Sequence, residues 1–169
     1  MLTRVIALVL AIAALAGCGS SRDLPPAAEP AAPRSVAVVD DGRAIAVLSA
    51  RERVLDVYDR DTHKRIGHAA AGVGPTQVVA GRGGLIYVLD TTGQGLLVFE
   101  RRPHLHIKRR LGILGSPAGI AADPVNRRLW VTTTAPDRLL ELTDGARPHR
   151  VSSLDFSGHG VPSADARDR

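Results

Sequence analysis

Short apolar runs, separated by turns rich in glycine, proline and aspartate, recur along the chain from residue 35 to residue 156. Runs of this length that are rich in Val, Ile and Leu and bounded by such turns predict strands rather than long helices. We therefore predict antiparallel strands throughout this stretch and no helix longer than two turns. The predicted strands are 36–39, 44–49, 54–59, 65–69, 78–80, 85–90, 96–100, 106–111, 120–122, 129–134, 138–143 and 150–156.

The strands recur with a fixed period. Pro33, Pro75 and Pro117 are spaced by 42 residues each, and Pro162 follows after 45. Four antiparallel strands in about 42 residues form one blade of a β-propeller. The fold class predicted is therefore all-β, a partial β-propeller of about three four-stranded antiparallel blades. The predicted repeats are 33–74, 75–116 and 117–161, together covering the domain 35–161, and they are followed by a tail at 162–169.

The third repeat resembles a known repeat family. Residues 117–132, PAGIAADPVNRRLWVT, match the YVTN-type β-propeller repeat of bacterial surface and periplasmic proteins, P-x-G-(I/V)-A-x-D-P-x-x-x-x-(L/I)-(Y/W)-V-(T/A). Residues 75–89 match with glycines in place of Asp-Pro, and residues 33–48 match loosely. The resemblance implies a propeller of typically six to eight blades with a non-enzymatic or unassigned function. Related propellers include lactonases, dehydrogenases and surface-layer components, but no catalytic motif of theirs can be placed on residues of this chain.

Three visible blades are fewer than the four that a closed propeller generally needs. Three alternatives follow: two copies pair into a six-bladed ring, the three sheets adopt a compact nonstandard packing, or the chain is a shortened relative of a longer gene product. The start of a fourth repeat at Pro162 favours the shortened relative.

An open array exposes the faces of its terminal blades, so we expect homo-oligomers through these faces. Strand alternation sends side chains to both sides of each sheet. The residues expected on the outer face of the first blade are Val36, Val38, Ile45, Val47 and Val57. Those expected on the outer face of the third blade are Ile120, Leu129, Val131, Leu140 and Leu142.

The N-terminus predicts export and lipidation. Arg4 precedes an apolar run, residues 5–15, that is shorter than the ~20 residues of a membrane-spanning helix, as in a signal peptide. Residues 15–18, L-A-G-C, resemble the lipobox of bacterial lipoproteins. The resemblance implies a signal helix at 1–17, cleavage between Gly17 and Cys18, and a lipid on Cys18 that holds the protein on the extracytoplasmic side of the membrane.

The next segment, 18–34, is rich in Pro, Ala and Ser, which predicts a disordered linker between lipid and domain. Cys18 is the single cysteine, so no intrachain disulfide can form.

Charged and polar side chains suggest few candidate binding or metal sites. The chain carries a formal net charge of +5, concentrated in Arg101-Arg102 and in residues 108–110, KRR, and such a patch can meet an envelope protein or a polyanion. We do not expect nucleic acid as a partner, because aromatic residues for base stacking make up only 3% of the chain. His104 and His106, with His63 and His68 in the first repeat, suggest either a metal site or, preferably, a solvated outer strand.

Turn residues have a structural explanation first. Asp40, Asp41 and Asp123 can line a channel mouth, but aspartate also accepts hydrogen bonds from turn backbone, and we favour that role. Residues 81–84, GRGG, lack the Lys-Ser/Thr and the helix of a phosphate-binding loop and predict a hairpin turn.

The sequence therefore predicts a lipid-anchored extracytoplasmic propeller-type binding or scaffold protein. It assigns no catalytic residue, no cofactor and no metal ligand. The alternatives are a propeller enzyme of the lactonase or quinoprotein-like kind, and a non-functional shortened fragment of one.

Overall fold

The computed structural model describes residues 34–156, which form three antiparallel sheets of four strands each. The first sheet contains β1 (Arg34–Val39), β2 (Ala44–Ser49), β3 (Val54–Asp59) and β4 (Arg65–Ala70). The second contains β5 (Pro75–Ala80), β6 (Ile86–Asp90), β7 (Gly95–Glu100) and β8 (His106–Gly112). The third contains β9 (Ser116–Asp123), β10 (Arg128–Thr134), β11 (Arg138–Thr143) and β12 (Arg150–Asp155).

The strands follow one another within each sheet in chain order, so every sheet is a simple meander. The all-β prediction of three four-stranded sheets is confirmed, and most observed strand ends lie within a few residues of the predicted ones. The helical turns in this part of the chain are two three-residue 3-10 turns, Asp40–Gly42 and Arg82–Gly84. Between residues 34 and 156 no helix is long and apolar enough to cross a membrane. Gly17, Cys18, the predicted signal helix, residues 18–33 of the predicted linker and the predicted tail lie outside the described residues. Arg34, predicted as the last residue of the linker, instead begins β1.

The second sheet lies between the other two and is buried on both faces. Side chains of β6 and β7 are buried at every position from Ile86 to Phe99 that lies within these strands. Ile86, Val88, Leu97 and Phe99 pack against the first sheet. The alternate positions, Tyr87, Leu89, Leu96 and Val98, pack against the third sheet.

The terminal sheets bury one face each, and this corrects part of the predicted outer faces. Val36 and Val38 are exposed on the outer face of the first sheet as expected, but Val57 is fully buried against the second sheet. All five residues expected on the outer face of the third blade, Ile120, Leu129, Val131, Leu140 and Leu142, instead pack toward the second sheet. Side chains alternate between the two faces of a sheet along each strand. The prediction did not determine which alternate positions face the neighbouring sheet, and it therefore assigned these residues to the wrong face.

Adjacent sheets also meet along their first strands. The hydroxyl Oγ of Ser35 on β1 accepts a hydrogen bond of 3.0 Å from the backbone N–H of Val78 on β5. Gln77 on β5 repeats the contact one sheet later, because its Oε1 accepts from the N–H of Ile120 on β9 at 3.0 Å. Donor and acceptor lie 43 residues apart in both cases. The sequence period is thus also a spatial period of the three sheets.

A buried carboxylate fixes the connection from the first sheet to the second. Asp90, at the end of β6, accepts hydrogen bonds from the backbone N–H groups of Val73, Gly74 and Gly93 at 2.8 to 2.9 Å. Gly72 has a φ of +106°, and a Cβ there would lie 2.1 Å from Asp90 Oδ2. Only glycine fits this close approach of backbone and carboxylate without a shift.

Candidate functional site

The outer face of the first sheet carries exposed apolar side chains. Val36 and Val38 on β1 expose 56% and 60% of their surface. The register of β2 places Val47 opposite Val36 and Ile45 opposite Val38, so these four side chains share one face. Burial of a valine side chain is favourable by roughly 1.5 kcal/mol relative to leaving it in water. Such a face is therefore a candidate protein-binding surface.

The β3 strand extends this face and gives it a polar margin. Asp56 lies opposite Val47, and Tyr58 lies opposite Ile45. The carboxylate of Asp56 contacts His68 Nδ1 at 2.8 Å and Arg65 Nη1 at 3.5 Å, both on the outer strand β4. We name the surface formed by Val36, Val38, Ile45, Val47, Asp56 and Tyr58 the first outer face.

The third sheet presents a more polar outer face. Trp130 on β10 lies opposite Glu141 on β11, and Thr132 lies opposite Leu139. Glu141 is paired with Arg128 Nε at 2.6 Å and accepts a hydrogen bond from Ser152 Oγ at 2.6 Å. We name the surface formed by Trp130, Thr132, Leu139 and Glu141 the second outer face.

A shallow groove of about 290 Å³ lies where the turns that follow the first strand of each sheet converge. Asp41 and Gly42 come from the first sheet, Arg82 from the second, and Pro124 and Val125 from the third. Asp41, for which a channel-mouth position was the less favoured alternative to a turn role, lines this groove. The turn 81–84 forms the predicted hairpin, with Gly83 and Gly84 at φ of +66° and +76°.

A buried hydrogen-bond network fixes one wall of this groove. Tyr87 donates its phenol proton to Asp144 Oδ1 at 2.5 Å, and Asp144 Oδ2 accepts from the backbone N–H of Arg82 at 2.9 Å. Burial and the hydrogen bond to Asp144 raise the pKa of Tyr87 far above its ordinary value of 10.0. A Cβ on Gly81 would lie 2.3 Å from the Tyr87 ring, so glycine is needed for this packing.

The turn carboxylates have structural partners. Asp123 accepts hydrogen bonds from the N–H groups of Val125 and Asn126 at 3.0 Å, and these bonds with that of the Asn126 side chain lower its pKa. Asp59 accepts from the backbone and hydroxyl of Thr62, which lowers its pKa in the same way. The turn role preferred for Asp123 is what its hydrogen bonds show.

His104 and His106 are neighbours, whereas His68 lies in another sheet. The rings of His104 and His106 lie 5.5 Å apart, and Nδ1 of His106 is 2.8 Å from the backbone oxygen of His104. His104 precedes β8 in a bend, while His68 contacts Asp56 on another sheet. Within residues 34–156, no three His, Cys, Asp or Glu side chains are placed to hold a metal ion.

The basic residues of β8 point to both sides of an outer strand. Arg109 pairs in register with Val98 and Arg110 with Leu97, which face the third and first sheets respectively. Lys108 forms an ion pair with Glu100, Nζ to Oε2, at 2.8 Å, and this bond lowers the pKa of Glu100. The run of basic residues is therefore divided between two faces, and polyanion binding there stays a prediction.

A second groove, about 260 Å³ in volume, opens between the edges of the second and third sheets. Leu111, Ile113 and Leu114 line one side, and Leu140 and Leu142 line the other. Leu114 is 84% exposed. The groove thus lies between β8 with the residues that follow it and β11 with Arg150 of β12.

Sequence reasoning missed the Tyr87–Asp144 network and the asymmetry of the outer faces. The asymmetry had a signal: strands β6 and β7 are apolar at nearly every position, which is typical of a sheet covered on both sides. In the third repeat, Thr132 and Glu141 alternate with buried Val131 and Leu140, and these polar positions mark the solvent side. Asp144 had no such signal, because its partner lies 57 residues away.

Solved structures with a similar fold are β-propellers. Hydrazine synthase from Kuenenia stuttgartiensis matches 84% of this chain at a TM-score of 0.61 and 18% identity, over 41% of its own length. The periplasmic gluconolactonase of Pseudomonas aeruginosa matches 75% at a TM-score of 0.59 and 18% identity, over 41% of its length. The WD40 domain of Toxoplasma gondii coronin matches 73% at a TM-score of 0.61 and 16% identity, over 35% of its length.

These similarities show the fold alone, because the identities are low. The three sheets are consecutive blades of a partial propeller, as predicted, and not a nonstandard packing. The chain spans about two fifths of the length of the structures it matches. No protein-family model matches the sequence, and no curated protein is similar to it in sequence.

Proposed function

We propose that this chain is a lipid-anchored, extracytoplasmic binding or scaffold protein that binds a protein partner through its first outer face. The observation that carries the proposal is the exposure of Val36 and Val38 beside Ile45 and Val47 on one sheet face. The equivalent face of the second sheet is covered by the first sheet. Because a neighbouring sheet covers this face in the second repeat, the same face of the first repeat is suited to bind a protein.

The lipid anchor of the proposal rests on residues 15–18, L-A-G-C, and on the apolar run before them. An anchor on Cys18 followed by a Pro/Ala-rich linker would hold the blades off the membrane surface. YVTN-type repeats, which the third repeat resembles, occur in bacterial surface and periplasmic proteins, and this agrees with the same location.

We favour binding over catalysis because of what the carboxylates do. Asp90 and Asp144 are buried and accept hydrogen bonds from turn backbone and, for Asp144, from Tyr87. Asp59 and Asp123 each accept bonds within their own turn. Each of these carboxylates stabilises a turn or a junction between sheets. The similarity to a gluconolactonase supports the fold and adds no residue of an active site.

A photoreactive amino acid placed at either of two valines tests the proposal in cells. Val38 lies on the first outer face, and Val125, which is 87% exposed, lies at the groove outside that face and serves as the matched control. We expect irradiation to join a protein chain to position 38 and not to position 125. Equal labelling of both positions, or none at position 38, would contradict binding through the first outer face.

A further inference from the structure

The junction between the second and third sheets defines which positions meet when one blade follows another. The second sheet contributes one set of side chains to this junction, which we call presenting. The third sheet contributes the set that packs against them, which we call receiving. The presenting side chains are Tyr87, Leu89, Leu96 and Val98. The receiving side chains are Leu129, Val131, Leu140 and Leu142.

The two outer faces carry the equivalent positions of the neighbouring repeats. Alignment of β10 and β11 on β6 and β7 places Trp130, Thr132, Leu139 and Glu141 at the presenting positions. Alignment of β2 and β3 on β10 and β11 places Ile45, Val47, Asp56 and Tyr58 at the receiving positions. The described residues therefore end in one receiving face and one presenting face.

We propose that two copies of this chain close a six-bladed ring, in which the second outer face of each copy packs on the first outer face of the other. The proposal rests on the proposed function, because it names the protein partner of the first outer face. A two-fold axis makes the two new junctions identical, and a rotation that closes leaves neither face open. Six blades lie within the usual range for propellers.

The inner strands support the same direction of assembly. Side chains of Ser35 and Gln77 accept backbone hydrogen bonds from the next sheet, from Val78 and Ile120. Each contact runs from one blade to the following blade. The ring continues this order of blades, since the third blade of one copy is followed by the first blade of the other. The position of the third sheet equivalent to Ser35 and Gln77 is Gly119, so this side-chain hydrogen bond is not repeated at the new junction.

Charge at the new junction is balanced within each sheet. Asp56 stands where the second sheet has Leu97, and Glu141 stands where it has Val98. Asp56 is paired with Arg65 Nη1 at 3.5 Å, and Glu141 is paired with Arg128 Nε at 2.6 Å. Burial of an unpaired carboxylate would oppose assembly, and the cation already beside each one reduces that cost. The junction is thus more polar than those inside the chain, which favours a reversible dimer.

The alternative of two first outer faces packed on each other covers less of the molecule. That arrangement leaves Trp130 and Leu139 on the second outer face uncovered in both copies. It also brings Asp56 of both copies to one symmetric interface. The ring covers both faces and separates the copies of Asp56.

Sedimentation of the full chain carrying Cys18→Ser measures the association. We expect a species of two chains at micromolar concentration. Val38→Asp, on the first outer face, should raise the dissociation constant by about tenfold or more, because it places a charge in the junction. Val125→Asp, outside both faces, should leave the dissociation constant unchanged. A monomer, an open series of larger species, or equal effects of the two variants would overturn the ring.

Cross-linking through new cysteines, in the same Cys18→Ser background, tests the direction of packing. Val36→Cys marks the first outer face, and Ala121→Cys marks the second, because Ala121 lies opposite Trp130. We expect a short bismaleimide to join a Val36→Cys chain to an Ala121→Cys chain in a mixture. Neither variant alone should give a joined pair, and the parent without cysteine should give none. Efficient joining of Val36→Cys to itself would overturn the ring in favour of face-to-face packing.

The two proposals fail separately. The chain could be monomeric in sedimentation and yet be joined to a different envelope protein through position 38 in cells. This result would overturn the ring and leave the proposed function intact. A chain that is monomeric and joins nothing through position 38 overturns both.

Discussion

The phenol of Tyr87 donates its proton to Asp144 across 57 residues of sequence and so joins the second sheet to the connection between β11 and β12 of the third. The backbone N–H of Gly145 donates to the same phenol oxygen at 2.7 Å. Both tyrosine and aspartate are buried. This pair fixes the position of the third sheet beside the groove formed by the turns.

Tyr87→Phe should therefore destabilise the protein. The change leaves the buried Asp144 and the half-buried N–H of Gly145 each without one partner, at a cost of about 1–3 kcal/mol in the free energy of unfolding. Urea denaturation measures the loss. The matched control is Tyr58→Phe, because Tyr58 is the other tyrosine of the chain and lies on the first outer face. This substitution should change the free energy of unfolding by less than about 0.5 kcal/mol. Equal effects of the two substitutions would contradict the role of the Tyr87 hydroxyl.

The same tyrosine predicts a loss of stability at alkaline pH. Burial and Asp144 raise the pKa of Tyr87 in the folded state above the ordinary value of 10.0, so only the unfolded chain ionises near that pH. The contribution of protonated Tyr87 to the free energy of unfolding is complete below pH 10 and is lost as the pH rises above 10. The Tyr87→Phe variant should lack this part of the alkaline loss, which urea midpoints measured from pH 8 to pH 11 would detect.

Asp90→Asn should destabilise the connection between the first two sheets. Burial raises the pKa of Asp90, but hydrogen bonds from Val73, Gly74 and Gly93 outweigh it and the pKa is lowered. Asparagine has one acceptor oxygen in place of two, and its NH₂ group cannot accept. We expect a loss of about 1.5–3 kcal/mol in the free energy of unfolding, measured by thermal or urea denaturation. Asp61→Asn, in an exposed turn, should have little effect.

Acid titration checks the charge of Asp90. Its contribution is present above the unfolded-state value of 3.8 and is lost as the pH falls through the lower folded-state pKa. The Asp90→Asn variant should therefore lose less stability than the parent between pH 5 and pH 3. An unchanged acid slope would show that the carboxylate is not the group responsible.

Val131→Asp should unfold or severely destabilise the third sheet. Val131 is fully buried against the second sheet, and an isolated carboxylate there costs more than about 3 kcal/mol. Thr134→Asp, at an exposed position of the same strand, is the control. Circular dichroism and urea denaturation compare the two. A folded Val131→Asp variant with altered self-association alone would place Val131 on an outer face, contrary to the structure.

Cys18→Ser should remove the protein from the membrane fraction or leave it unprocessed, because the serine cannot form the thioether of a lipobox. Cell fractionation and intact-mass measurement follow the anchor. Ser20→Ala, two residues on, should change neither partitioning nor mass beyond the substitution. Unchanged partitioning of Cys18→Ser with a cleaved N-terminus would contradict lipid anchoring.

The sequence by itself determined the strands and their grouping. Short apolar runs, turn residues and the 42-residue spacing of Pro33, Pro75 and Pro117 are local or periodic signals, and they predicted twelve strands in three sheets. The turn role of Asp123 also followed from the sequence, because its hydrogen-bond donors lie two and three residues away.

Only the tertiary structure decided which side of each sheet is covered. Alternation along a strand separates two faces but does not say which of them meets the neighbouring sheet. Val57 and Val131 therefore lie on the covered side, although they were expected outside. The pairing of Tyr87 with Asp144 was equally hidden, since it depends on the rotation of one blade relative to the next. These features arise from contacts between residues far apart in the chain, and local preference carries no information about them.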